Sequence, residues 1–271
     1  MKSAFSFALV ALISSVTASP LQLEPRQGGS TDPFMDSSLP GHTIYLPTST
    51  GSGSGNSTKW PVFVWGNGAC STDGRSNIAL LKHVAANGFI AISEGGLSGG
   101  GSSNAQTMKQ AIDWISKTAG TGRYANVDAS RIMAAGFSCG GVEAIDNIFD
   151  ERVDTIGIVS SGLLSNYDVA KRWNKPVLFV LGGSGDIAYQ NGERDYRNIP
   201  AGVPTWKGNI PVGHGGTLGD ANGGRFGKAI LAWAQWVLKG DQNGAQYLKS
   251  GYSADGWQVQ SKDLDKLKPL A

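Results

Sequence analysis

The stretch that most constrains the fold is residues 131–142, which read Arg-Ile-Met-Ala-Ala-Gly-Phe-Ser-Cys-Gly-Gly-Val. An apolar run ends in a Gly-x-Ser-x-Gly pattern around Ser138, and a helical pattern follows it. In this strand–turn–helix setting a sharp, strained turn projects the serine hydroxyl above a sheet. Gly136 and Gly140 lie two residues before and after the serine, and they let strand and helix pass without a Cβ clash. The pattern predicts that Ser138 is a nucleophile.

The same pattern occurs a second time, around Ser98. Glycine is abundant, at 39 of 271 residues, so one of the two matches can arise by chance. Ser98 is followed by a Gly/Ser run that is too flexible to form a rigid turn. The next helix is predicted to begin only at Ser103, where Gln106 three residues later would complete a capping box. Context therefore favours Ser138 over Ser98.

The alternation of apolar runs and helical patterns predicts the fold class. Apolar strands are predicted at residues 42–46, 60–65, 89–93, 132–135, 153–160, 177–181 and 205–210. Helices are predicted from about residue 76, from residue 103, after Ser138 and over about 224–238. Such alternation argues for an α/β protein with a mostly parallel sheet covered by helices on both faces. The short segment between residues 161 and 177 leaves no room for a large lid, and the tail from Gly240 is expected to pack on the same domain.

The N-terminus has the features of a secretory signal peptide. Lys2 precedes an apolar segment at residues 4–13, and Val-Thr-Ala at the end of residues 1–18 provides small residues for cleavage. Residues 19–38 are rich in Pro, Gln and Gly, and we expect an extended leader or propeptide there. Residues 39–271 are expected to form one domain. No other apolar stretch is long enough to span a membrane, so we expect a secreted, extracellular protein.

Composition and cysteine count limit which partners, cofactors and modifications are expected. The net charge is +2, 16% of residues are charged and no basic stripe is present, which argues against nucleic acid as a partner. An even cysteine count in a secreted chain favours a disulfide. The two cysteines and three histidines lack metal-ligand spacing, so we expect no metal or other cofactor. Asn56 begins the N-x-S/T sequon and is a candidate glycosylation site. Nothing in the sequence suggests an interface, so a monomer is expected.

A nucleophilic serine needs a base to take its proton and an acid to orient that base. His214 is the one histidine after Ser138, and it lies in a glycine-rich loop after the last predicted strand. Asp186 follows the strand at 177–181 through a glycine-rich turn, at the end where sites of open α/β sheets lie. Asp195 is expected to be exposed or ion-paired, and Asp220 comes after the histidine. The chain order serine, acid, histidine therefore selects Asp186.

The negatively charged oxygen of a tetrahedral intermediate needs two hydrogen-bond donors. One is expected to be the backbone N–H of Cys139, directly after the nucleophile. The other is expected from the glycine-rich turn after the strand at 60–65, with Ala69 as first choice and Gly68 as second. If both loops donate to one oxygen, Cys70 and Cys139 lie within reach of each other. We therefore predict a Cys70–Cys139 disulfide.

At this point the chain resembles secreted fungal α/β-hydrolases of the dienelactone-hydrolase and polyester-hydrolase (cutinase-like) group. Four segments carry the resemblance: residues 61–69, 136–141, 176–186 and 213–215. The resemblance implies an α/β-hydrolase fold with Ser138, His214 and Asp186 as catalytic residues and the Ala69 and Cys139 amides as the oxyanion hole. The chain departs from the group at two of these positions, since the polyester hydrolases usually have a bulky aromatic at Ala69 and a Met at Cys139. Substrate preference therefore does not carry over.

Three functions remain open from the sequence. The first is a secreted serine hydrolase that cleaves small-molecule or polymeric carboxylic esters, aryl esters included, through an acyl-enzyme. The second is a peptidase or amidase with the same triad, and the third is a catalytically idle α/β-hydrolase that acts as a binding or effector protein. Five aromatic residues could line an open site or belong to the core: Trp65, Phe137, Trp173, Tyr189 and Trp206.

Overall fold

The computed structural model describes residues 29–48 and 59–270. The predicted signal peptide, residues 19–28 of the predicted leader and Asn56 lie outside the described residues. The described chain folds as an α/β protein around a single eight-stranded sheet. The predicted fold class, a mostly parallel sheet with helices, is confirmed.

The strands run in the spatial order β1-β3-β2-β4-β5-β6-β7-β8. Their bounds are β1 His42–Tyr45, β2 Trp60–Gly66, β3 Ile90–Glu94, β4 Val127–Phe137, β5 Thr155–Val159, β6 Val177–Leu181, β7 Thr205–Asn209 and β8 Gln258–Lys262. The six central strands are parallel, and the edge strands β1 and β8 are antiparallel to their neighbours. The carboxyl ends of all six parallel strands therefore meet at one edge of the sheet.

In the part of the chain that the structure describes, six α-helices cover the sheet: α1 Ile78–Ala86, α2 Ala105–Thr118, α3 Cys139–Asp146, α4 Tyr189–Asn198, α5 Gly224–Lys239 and α6 Gln242–Lys249. The buried residues of α1, α5 and α6 share one apolar cluster, and those of α2, α3 and α4 share a second. Residues of β2 to β6 enter both clusters; in β2, for example, Phe63 belongs to the first and Val64 to the second. Because both faces are covered, inner strands such as β2 and β6 are apolar throughout rather than alternating.

Three elements were not predicted from the sequence: α4, α6 and β8. The sequence of α4, Tyr-Gln-Asn-Gly-Glu-Arg-Asp-Tyr-Arg-Asn, has few apolar residues, so it lacks the periodic signal that predicts a helix. β8 reads Gln-Val-Gln-Ser-Lys and pairs at the sheet edge, where polar residues are tolerated. The tail nevertheless packs against the sheet's first apolar cluster, in which Tyr247 and Trp257 are buried.

The start of α2 differs from the prediction by one residue. The N-cap is Asn104, whose side chain accepts from the Thr107 N–H, while the Thr107 hydroxyl accepts from the Asn104 N–H. Ser103 is buried instead, and its hydroxyl donates to Glu143. The capping box predicted for Ser103 and Gln106 was wrong because Ser103 and Asn104 are both good caps and the buried contact of Ser103 decides between them.

The described part of the predicted leader lies against the sheet edge. Phe34 and Ser30 form isolated antiparallel bridges to Ile44 and Pro47. The Phe34 and Ile44 backbones exchange hydrogen bonds of 3.1 and 2.8 Å. Cleavage of the leader stays a prediction. No helix in residues 29–48 and 59–270 is both long and apolar enough to cross a membrane.

Candidate active site

Ser138 sits on the sharp turn between β4 and α3. Its backbone has φ +54° and ψ −114°, a conformation that costs a residue with a side chain of the order of 1–3 kcal/mol. The turn is held by two hydrogen bonds: the Ser138 N–H donates to Val159 O (2.9 Å), and the Ser161 hydroxyl donates to Ser138 O (2.6 Å). Val159 ends β5 and Ser161 lies two residues after it, so the neighbouring strand and the start of its loop stabilise the strained turn.

Glycines make this turn possible. A Cβ on Gly140 would lie 2.0 Å from the carbonyl carbon of Gly66 in β2, and one on Gly136 would lie 2.2 Å from Gly140 O. These neighbours are backbone atoms, which cannot move aside as a flexible side chain can. The second glycine-flanked serine, Ser98, is instead exposed in the loop between β3 and α2.

The structure brings the three predicted side chains together. His214 Nε2 lies 3.0 Å from Ser138 Oγ, and His214 Nδ1 lies 2.7 Å from Asp186 Oδ1. A neutral imidazole satisfies both contacts when Nδ1–H donates to the carboxylate and Nε2 accepts from the serine hydroxyl. The three residues follow β4, β6 and β7, at the shared carboxyl edge of the sheet. The Phe137 ring packs against the imidazole, with centroids 4.9 Å apart.

Asp186 is held as a carboxylate. Burial by itself would raise its pKa, but hydrogen bonds from His214, from the Ser160 hydroxyl and from two backbone N–H groups outweigh burial and lower it. The Gly182 N–H reaches Oδ2 at 3.0 Å, and the Ala188 N–H reaches Oδ1 at 2.9 Å. These donors also fix the orientation of the carboxylate, so it presents an acceptor to the imidazole.

The second predicted loop lies beside the serine turn. Gly68–Cys70 forms a short 3₁₀ turn in which Ala69 has φ +55°. The disulfide Cys70–Cys139 joins this turn to α3, with Cα atoms 5.2 Å apart, and the predicted bond is confirmed. Gly68 packs on the Phe137 ring, which leaves no space for a Cβ. Within residues 29–48 and 59–270, the N–H groups of Ala69 and Cys139 donate to no protein acceptor.

Sequence reasoning missed one residue of this region, Asn67. Its fully buried side-chain amide lies 3.0 Å from Ser71 O, 3.1 Å from Asp73 O and 2.9 Å from Glu94 O. Its own carbonyl accepts from the Gly140 N–H at 3.0 Å. Asn67 thus connects the 3₁₀ turn, β3 and α3. A single Asn between two glycines gives no sequence signal for this role, because the partners are far apart in the chain.

A pocket of about 450 Å³ opens at Ser138 and His214. Its walls are mostly aliphatic or small, with Ala105, Val142 and Ala188 beside the disulfide. Two large apolar side chains at the rim are strongly exposed, Leu164 at 69% and Ile187 at 83%.

None of the five aromatic residues considered from the sequence is among the pocket-lining residues of the described chain. Trp65, Trp173 and Trp206 are buried in the core, and Phe137 lies behind the imidazole. Among the described residues, the pocket therefore offers no Phe, Tyr or Trp ring for stacking an aryl group. Of the two alternatives left open for these residues, the core applies to the three tryptophans. Trp65 and Trp206 lie on parallel strands that are covered on both faces, and Trp173 follows the 3₁₀ helix Tyr167–Arg172 and packs into the second apolar cluster.

Asp195 is ion-paired and fully buried, so of the two expectations for it the ion pair is confirmed and exposure is wrong. Arg194 Nη2 lies 2.9 Å from its Oδ1, and the Leu163 N–H donates to its Oδ2 at 2.5 Å. Asp195 lies on α4, a helix that the sequence did not predict. The packing of this helix on its neighbours buries the Asp195 side chain.

One group of side chains in the described chain places potential metal-ligating atoms close together. Atoms of Cys70, Cys139 and Glu143 lie within 4.8 Å of one another. Both sulfur atoms belong to the disulfide, so neither can supply the thiolate that binds a metal ion. This cluster does not fit a metal ion as long as the disulfide is intact.

No protein-family model and no curated protein sequence matches this chain. What the site can do follows from its own geometry and from the chemistry of its residues.

Proposed function

We propose that the protein is a secreted serine hydrolase of the α/β-hydrolase fold that cleaves carboxylic esters through an acyl-enzyme on Ser138. The observation that carries the proposal is the continuous hydrogen-bonded series from Ser138 through His214 to Asp186, at 3.0 and 2.7 Å. A hydroxyl is a weak nucleophile, and this arrangement supplies the base and the orienting acid that activate it. The strained serine turn beside a pocket supports the same conclusion.

In the acylation step, Ser138 Oγ attacks the ester carbonyl carbon while its proton passes to His214 Nε2. A new C–O bond forms, and the carbonyl π electrons move to the oxygen, which becomes an oxyanion. The intermediate then collapses, the bond to the alcohol oxygen breaks, and the imidazolium returns the proton to the departing alkoxide. Asp186 holds His214 in the required tautomer and stabilises the positive charge of the imidazolium throughout.

Deacylation repeats these steps with water as the nucleophile. His214 Nε2 removes one proton from water, the hydroxyl oxygen bonds to the acyl carbon, and the second oxyanion collapses with cleavage of the bond to Ser138 Oγ. The imidazolium then returns the proton to Oγ, which restores the free enzyme. The net reaction consumes one water molecule and releases an alcohol and a carboxylic acid.

The N–H groups of Ala69 and Cys139 are assigned as the oxyanion donors. They lie on the two segments that the disulfide joins beside Ser138, and neither is used by a protein acceptor in the described chain. Donors that are held in place before the reaction stabilise the charge that develops without having to reorganise, which is often the largest contribution to catalysis.

The pocket favours compact or aliphatic ester groups. Its lining residues in the described chain include no Lys or Arg, so a carboxylate on the substrate would find no cationic partner. Its aliphatic walls match a neutral acyl or alcohol group. The exposed rim residues Leu164 and Ile187 would contact parts of a larger ester that extend out of the pocket.

The experiment that tests the proposal combines labelling with turnover. A fluorophosphonate should attach to Ser138 with loss of fluoride, and a short p-nitrophenyl ester should be hydrolysed. Ser138→Ala should abolish both reactions, and the matched variant Ser98→Ala should keep both. If a peptide amide were cleaved faster than the ester, the function would be that of an amidase and the proposal would be wrong. Absence of labelling and turnover in the folded protein would contradict the proposal and favour a binding protein.

A further inference from the structure

Two buried glutamates lie behind the proposed oxyanion hole. Glu94 ends β3 and is completely buried, and Glu143 lies one turn after Cys139 on α3 and is 3% exposed. No Lys or Arg of the described chain forms an ion pair with either carboxyl group. Isolated charges in an apolar interior are costly, so the two groups cannot both be ionised without a cation.

The hydrogen bonds around the pair leave room for one shared proton. The Ser103 hydroxyl donates to Glu143 Oε1 at 2.8 Å. Both Glu94 oxygens and Glu143 Oε2 have no donor among the groups that the structure describes. A proton on one carboxyl group supplies the missing donor. Burial, together with the hydrogen bond and the charge of Glu143, raises the pKa of Glu94 to about 10, so the pair keeps one proton at neutral pH.

The pair connects the two segments that carry the proposed oxyanion donors. The Glu94 backbone accepts from the side chain of Asn67, which precedes the 3₁₀ turn, and Asn67 O accepts from the Gly140 N–H. Glu143 Oε2 lies so near β2 that a Cβ on Gly66 would come within 2.9 Å of it. The interacting carboxyl groups of Glu94 and Glu143 thus lie on β3 and on α3, and both residues contact the segments next to the Ala69 turn.

We propose that Glu94 is a positioning residue of the oxyanion hole, whose protonated carboxyl bridges to Glu143 and holds the Ala69 turn and the start of α3 in register. This inference rests on the proposed function. Loss of the proton would place two carboxylates side by side in the interior, and their repulsion would separate β3 from α3. The Ala69 and Cys139 amides would then lose their common target, which lowers kcat more than it changes KM.

Other titratable groups near Glu94 are already engaged. His42 lies opposite Glu94 in the β1–β3 register, and its ring nitrogens lie 3.2 and 3.0 Å from Pro40 O and Thr107 O. Asp73, in the loop after β2, accepts from the Arg75 N–H at 2.9 Å. Glu143 is thus the titratable group that a negative charge on Glu94 would repel.

The test is the pH dependence of kcat and KM for a short p-nitrophenyl ester, with the Ser138→Ala rate subtracted and the active sites counted with a fluorophosphonate. Wild type should lose kcat reversibly above about pH 10, while tryptophan fluorescence reports that it stays folded. Glu94→Gln keeps a donor but cannot ionise, so its kcat should stay level through that range. At pH 8 its kcat should exceed that of Glu94→Ala by about tenfold or more, because misplaced oxyanion donors cost factors of this size.

Two further variants keep the test decisive. Asp154→Asn neutralises another carboxyl group whose pKa is raised by burial. Asp154 accepts from the Ile132 N–H, far from the serine turn, so the kcat of this variant should decline at alkaline pH as in wild type. Glu143→Gln removes the repulsion from the other side and should also abolish the decline.

An active wild type whose alkaline decline is unchanged by both Glu94→Gln and Glu143→Gln overturns this inference alone. A wild type that neither hydrolyses ester nor reacts with the fluorophosphonate overturns the proposed function and this inference with it.

Discussion

Removing the Cys70–Cys139 disulfide should destabilise the protein by about 4 kcal/mol. The bond joins residues 69 positions apart. In the chain-entropy relation, a cross-link restricts the unfolded chain by 2.1 + 1.5R ln n cal/mol/K, which is about 4.4 kcal/mol at 25 °C for a loop of this length. The perturbation is the double variant Cys70→Ser/Cys139→Ser, which leaves no lone thiol to form wrong bonds.

Urea denaturation followed by tryptophan fluorescence measures this effect. The midpoint should fall strongly, and the unfolding free energy of the double variant should be about 4 kcal/mol below that of wild type. A loss below about 1 kcal/mol would refute the reasoning. It would mean that the unfolded chain is already restricted, or that relief of strain in the native bond offsets the entropy.

The same variant separates stability from catalysis. The disulfide joins the turn that carries Ala69 to Cys139, so its loss should let the two proposed oxyanion donors move apart. We expect kcat to fall by about tenfold or more under conditions where the variant is folded, with KM changing less. Unchanged kcat in the folded double variant would mean that Asn67 and the glycine contacts hold the donors without the bond.

Three further predictions follow. Asp186→Asn should lower kcat by about 10⁴-fold with the fold retained, because the amide no longer selects the required tautomer of His214; ester turnover and thermal unfolding together measure this. Gly140→Ala should destabilise the protein by about 3 kcal/mol or more in urea, because its Cβ would lie 2.0 Å from backbone, whereas the control Gly219→Ala, with nothing within 4 Å, should have little effect. Glu94→Gln should flatten the dependence of unfolding free energy on pH. The pKa of Glu94 rises from 4.5 to about 10 on folding, so the contribution of this group to stability is complete below pH 4.5 and is lost as pH rises towards 10; an equal slope in the variant and in wild type between pH 5 and 8 would contradict this.

The sequence predicted the fold class where hydrophobic patterns were strong. Buried parallel strands such as β2 and β6 read as continuous apolar runs, and their predicted bounds differ from the structure by at most one residue. The pattern failed for α4 and β8, because their polar sequences carry no periodic signal and their place in the fold is set by neighbours already present. The exact start of α2 also needed tertiary information, since a buried contact of Ser103 decided between two adjacent caps.

Part of the candidate site was predictable from the sequence, and part was not. Chain order and the carboxyl-edge rule were enough to select Ser138, Asp186 and His214, and the structure brings them within hydrogen-bond distance. The aliphatic character of the pocket was not predictable, because whether an aromatic residue faces a cleft or the core depends on how helices cover the sheet. Asn67 was likewise invisible, since its partners are brought together only by folding.

The sequence by itself determined the elements that short segments encode: the serine turn with its flanking glycines, the order of the reactive residues and the pair of cysteines. These are local, because backbone conformation and residue type act over a few positions. Only the tertiary structure decided the pairing of Glu94 with Glu143. Their carboxyl groups are 49 residues apart in the chain, and a raised pKa arises only when packing removes water and brings two acids together.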